Sequence, residues 1–95
     1  MIRSFADRDA EALFEGRFAR RLGPDVQRAA QRKLRLLHQA RELGDLAALP
    51  GNRLEILRGN RAGQHSIRLN DQWRLCFRWS DGGAEDVEIV DYHRG

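Results

Sequence analysis

Ninety-five residues with 41% hydrophobic side chains describe one globular domain, residues 1–95, and exclude a disordered chain. The net charge of +3 and pI near 10.0 disfavour a cationic partner and point to a polyanion. A single cysteine, Cys76, excludes an intramolecular disulfide and fits a reducing compartment; with no apolar run long enough for a signal peptide or membrane helix, a cytoplasmic protein without membrane partners is expected.

Residues 2–5 alternate and predict a first strand. Asp7 is placed to cap a helix from Arg8. Ala10, Leu13, Phe14 and Phe18 give that helix one apolar face, and Gly16 weakens its end. Gly23-Pro24-Asp25 opens a second helix that runs to about Ala40, antiparallel to the first. Val26, Ala30, Leu34 and Leu37 form its apolar stripe, and Arg28, Arg32, Arg35 and Arg41 its polar one. Gly44 and Pro50-Gly51 bracket a loop with room for one turn around residues 45–49.

After Pro50 the period changes from 3.6 to 2. Strands are predicted over 53–57, 65–69, 73–79 and 87–92, separated by turns at Gly59–Gly63, Asn70-Asp71 and Asp81–Gly83. The expected fold is therefore α+β: an N-terminal strand and two antiparallel helices on one face of a mainly antiparallel four- to five-stranded sheet. Leu54, Ile56, Ile67, Leu69, Leu75 and Phe77 are expected to face the helices, with Trp73 anchored beside them. Parity sends Arg53, Glu55, Ser66, Arg68, Arg74, Cys76 and Arg78 to the other face, a poor surface for packing and a good one for phosphates.

The charge pattern agrees. Of the 17 basic residues 16 are Arg, whose planar fork suits phosphate. Residues 17–41 carry eight basic and one acidic residue, and residues 53–78 carry six and two. A GC-rich genome would also enrich arginine, without any partner. The last residues, Asp91-Tyr92-His93, put three titratable groups at a strand end.

The run Gly59-Asn60-Arg61-Ala62-Gly63-Gln64-His65-Ser66-Ile67-Arg68-Leu69-Asn70-Asp71-Gln72-Trp73-Arg74 and the terminal Val90-Asp91-Tyr92-His93 resemble the HigB-type killer toxins of the RelE/ParE superfamily. So do Met1–Phe5 and Leu13-Phe14-Glu15-Gly16. The resemblance covers essentially the whole chain and implies a RelE-like fold. It further implies a toxin of a type II toxin–antitoxin module that enters the ribosomal decoding site and cuts messenger RNA without a metal ion. The implied partners are the ribosome, mRNA and a cognate HigA-like antitoxin. Such antitoxins are usually helix-turn-helix DNA-binding proteins, so operator DNA is reached only through the antitoxin.

Metal-free cleavage needs a base for the 2′-hydroxyl, an acid for the leaving oxygen and cations for the phosphorane charge. His93 is the candidate acid, because imidazole exchanges a proton near neutral pH. Asp91 is placed to orient it, and Tyr92 to stack on a splayed base. Arg74 is the candidate phosphate clamp, with Arg58 and Arg61 at flanking oxygens and Arg53, Arg68 and Arg78 along the RNA backbone. Glu55 stands where several better-known killer toxins carry histidine. The Glu55, Arg74, His93 set resembles that of secreted microbial ribonucleases, in which Glu is the base. His38, His65, His93 and Cys76 lack metal-ligand spacing, so neither metal nor cofactor is expected. Two alternatives use the same fold: a ParE-like inhibitor of DNA gyrase, and a non-catalytic RNA-binding module.

Overall fold

The structure is a computed structural model and describes residues 1–91. The first helix, α1 (Arg8–Phe14), starts at the expected cap. Asp7 accepts hydrogen bonds from the backbone N–H of Asp9 at 2.7 Å and Ala10 at 3.3 Å. Its other oxygen accepts from the Ile89 N–H at 2.8 Å, tying the helix start to the last strand. The helix stops short of Phe18. Gly16 takes φ 84°, the left-handed region, and turns the chain so that Phe18 is exposed instead of joining the apolar face. In α2 (Pro24–Gln39) the buried stripe Val26, Ala30, Leu34 and Leu37 follows the predicted spacing, and Arg28, Arg32 and Arg35 are exposed. A short helix, α3 (Leu43–Ala47), is closed by reciprocal bonds between Glu42 and Asp45, and one 3₁₀ turn, Pro50–Asn52, follows it.

Four strands, β1 (Glu55–Ile56), β2 (Gln64–Arg68), β3 (Trp73–Ser80) and β4 (Gly83–Asp91), form an antiparallel meander in chain order. The predicted N-terminal strand is reduced to two isolated parallel bridges onto β4, Ile2 to Ala84 and Phe5 to Val87. β4 begins four residues earlier than its alternation suggests. A bulge lies between the Cys76–Glu88 and Arg78–Glu85 pairs, and Asp86 there has φ 53°. The bulge restores Ala84 to the core side and hides the strand's true start from a period-2 reading.

Helices α1 and α2 pack on β3 and β4, and Leu34, Leu37, Ile67, Leu75, Phe77 and Val87 are fully buried between the layers. Full burial of such a side chain is worth about 1.5–3 kcal/mol, more than helix propensity contributes over a turn. The main helix contacts with the sheet fall on β3 and β4 rather than on β1. Ile56, expected in the core, is 72% exposed, and Leu57 is buried instead.

Buried polar groups join α2 to the loop before β1. Lys33 Nζ donates to Asn52 Oδ1, and Asn52 Nδ2 donates to the Leu46 carbonyl at 3.1 Å. Burial holds the Lys33 ammonium below its usual range, with Arg32 and Arg68 pushing the same way. Asn52→Ala strands that ammonium, and urea unfolding is expected to show a loss of about 1–3 kcal/mol. The same substitution in a Lys33→Met background is expected to cost less, because the stranded charge is gone.

Candidate functional site on the open sheet face

The strand register builds the face opposite the helices. Glu55 pairs with Ser66, Ser66 with Cys76, and Cys76 with Glu88, giving one row across all four strands. The adjacent row is Arg68, Arg74 and Val90. Side chains in these rows point away from the helical core, as the alternation predicts.

Arg74 is the most constrained cation of the face, with only 7% of its surface exposed. Its Nε donates to Ser66 Oγ at 2.7 Å, and its Nη2 donates to the Arg53 carbonyl at 2.6 Å and the Ser66 carbonyl at 3.4 Å. Glu55 Oε1 lies 3.8 Å from Nη2 on the exposed side. The Arg53 carbonyl reaches Arg74 from a residue in the left-handed conformation, φ 44°. Beneath Arg74, Trp73 packs against the core with the Arg21 guanidinium 5.4 Å from its ring centroid.

The other predicted cations are spread around this centre. Arg61 Nη1 donates to Glu88 Oε1 at 2.6 Å and Gln64 Oε1 at 3.0 Å. Arg68 pairs with Asp71. Arg78 Nε is 3.6 Å from Asp86 Oδ2, and its guanidinium covers Gly63, where a Cβ would come within 2.8 Å of Nη1. Gly63 has φ 91°, so it is the backbone conformation that favours glycine here, since the flexible Arg78 side chain can move aside. Arg53 and Arg58 are exposed. Glu55 and Arg74 are thus brought together. Asp91 is exposed and accepts from Gln72 Nε2 at 3.2 Å; it pairs with Trp73, on the strand face that carries Ile89. Tyr92 and His93 lie outside the described residues.

Two participants went unassigned in the sequence. Parity puts Ser66 on this face and gives it no task, and it holds Arg74. Glu88 holds Arg61, and its position follows from parity once Val87 and Ile89 are in the core.

Cys76 is fully buried on this face beside Arg61, Glu88 and Arg74. Burial pushes its thiol up to about 11, against the opposing pull of the two arginines. The thiol is therefore neutral at working pH and inert as a nucleophile. An unfolded thiol ionises near pH 9 while the folded one does not. Stability is therefore expected to fall as pH rises from about 9 to 11, by roughly a hundredfold in the unfolding constant. Cys76→Ala should flatten that part of a stability–pH curve.

Among the described residues, concave pockets occur on the helical side. One of about 260 Å³ is lined by Phe18, Pro24, Gln27 and Arg28 among others, and one of about 190 Å³ by Leu36, Ala40, Leu46 and Leu49 among others. Neither borders Arg74. An extended phosphodiester chain lies across a surface and needs no enclosed cavity. Among the described residues no three His, Cys, Asp or Glu side chains group to hold a metal ion, and no helix is long and apolar enough to cross a membrane.

A meander with helices on one face and an arginine-lined open face is the α+β architecture of RelE-like toxins. A chain of the YoeB–YefM complex from Staphylococcus aureus matches 99% of this chain and 99% of its own at a TM-score of 0.55, with 14% identity, a likeness of fold. Residues 3–93 match the family described as the RelE-like toxin of the type II toxin–antitoxin system HigB, and the chain belongs to that family. It is a type II toxin, and an antitoxin is its partner. It is 44% identical to "Toxin HigB-1" of Vibrio cholerae serotype O1 over 95 residues, covering 99% of both chains. It is 35% identical over 98 residues to "Endoribonuclease HigB" of Proteus vulgaris, covering 98% of this chain and all of that one.

Proposed function

We propose that this toxin is a cytoplasmic, metal-independent endoribonuclease that cuts mRNA on the ribosome. What supports the reading most is the pairing of a half-exposed carboxylate, Glu55, with the fixed guanidinium of Arg74 on one open, arginine-lined face. The relative named an endoribonuclease adds to it.

In this reading Glu55 takes the proton of the 2′-hydroxyl, and the 2′-oxygen attacks phosphorus. The bond from phosphorus to the 5′-oxygen breaks, and His93 gives that oxygen its proton. Arg74 holds the non-bridging oxygens as their charge grows. Asp91 orients His93, Tyr92 stacks on the base at the cut, and Arg58 and Arg61 hold flanking oxygens. Arg53, Arg68 and Arg78 follow the RNA or ribosomal RNA backbone. The products are a 2′,3′-cyclic phosphate and a 5′-hydroxyl. The antitoxin is a HigA-like helix-turn-helix protein, which alone carries the pair to operator DNA.

Mapping RNA ends after brief expression tests this. Codon-positioned breaks with 5′-hydroxyl ends are expected. Loss of DNA supercoiling with intact messenger would make the protein a gyrase inhibitor instead. Binding with neither effect would leave an RNA-binding module, whose affinity falls steeply with salt.

A further inference from the structure

We propose that Ser66 is a positioning residue that fixes the plane of the Arg74 guanidinium. The inference rests on the reading of Arg74 as the phosphate clamp. Ser66 is 0% exposed, although it lies on the face opposite α1 and α2. A hydroxyl buried there is costly unless it is bonded. Its Oγ accepts from Arg74 Nε at 2.7 Å, and its carbonyl accepts from Nη2 at 3.4 Å. The Arg53 carbonyl, turned inward by the left-handed φ of 44°, takes the third bond at 2.6 Å.

These three acceptors hold two of the guanidinium's three nitrogens, Nε and Nη2. Rotating the plane would break the Nε bond and an Nη2 bond together. Glu55 does not do this work: its oxygen is 3.8 Å away, beyond hydrogen-bond range, and its side chain is half exposed. A clamp already aligned when charge develops on phosphorus needs no reorganisation, and that is where such donors gain their effect. Ser66 thus acts on the reaction rate through Arg74, without touching RNA.

The test is a double-substitution cycle in single-turnover cleavage of ribosome-bound mRNA. Ser66→Ala is expected to lower the rate constant about tenfold and leave the half-saturating concentration unchanged. In an Arg74→Ala background the same change is expected to have no further effect. No loss in the unsubstituted protein, or equal losses in both backgrounds, overturns the proposal. Full activity of Arg74→Ala alone overturns the clamp reading and this inference with it. A second measurement needs no substitution. By side-chain ¹⁵N NMR the Arg74 Nε–H should exchange with water at least about tenfold more slowly than that of exposed Arg58. Equal exchange would also overturn the proposal.

Discussion

Glu55→Gln is expected to slow cleavage by roughly 10²–10⁴-fold while barely moving the melting temperature. The two halves of that expectation come from different observations. Glu55 sits on the short edge strand with its side chain 50% exposed, and its ion pair with Arg74 is long at 3.8 Å. Such pairs add little to stability, so neutralising this one should be almost silent in unfolding. Gln keeps the shape and loses only the ability to take a proton. His93→Gln is expected to cost a similar factor for the complementary reason. The pH–rate profile separates the roles. A base must be deprotonated and an acid protonated, so Glu55→Gln should erase the acid limb and His93→Gln the alkaline limb. If both variants cleave at the unsubstituted rate, the proton-transfer assignment is wrong.

The parts of the fold that the sequence displays are those governed by local rules. Asp7 caps α1, Pro24 and Asp25 open α2, and glycine turns separate the strands, because each rests on the chemistry of one or two residues. What stays hidden depends on distant partners. Ile56 has core-side parity, yet it is exposed because the helices end over β3 and β4, and alternation carries no record of helix position. The start of β4 is masked by the bulge at Asp86, where one extra residue shifts the period. The candidate site divides the same way. Parity alone places Glu55 on Arg74's face, and the strand register brings the two within 3.8 Å. The bond from Arg74 to the Arg53 carbonyl also involves a left-handed arginine at position 53, and a positive φ at such a residue has no sequence signal. Asp91 lies on the face of Ile89, two residues before His93, so parity alone does not carry the terminal imidazole to Arg74's face.

Arg74→Lys is expected to lower the cleavage rate by roughly 10²–10³-fold, the usual loss when one preorganised donor to a developing oxyanion is removed. The positive charge survives this substitution, so the loss would have to come from geometry. A guanidinium carries five N–H donors on three nitrogens in one plane. Arg74 commits Nε to Ser66 Oγ and uses Nη2 for the Arg53 and Ser66 carbonyls, which aims the fork. An ammonium places all its donors on one nitrogen. It can follow those buried acceptors or turn to phosphate, and it cannot span both. RNA affinity should change little, because long-range attraction depends on charge rather than on the fork. Arg58→Lys provides the contrast: Arg58 is exposed, and in the proposed reading it acts through charge, so a loss below about threefold is expected. Were Arg74→Lys to cleave as fast as Arg58→Lys, Arg74 would be one more surface charge. The buried acceptors behind it would then have a structural task only, and the centre of the reaction would have to be sought elsewhere on this face.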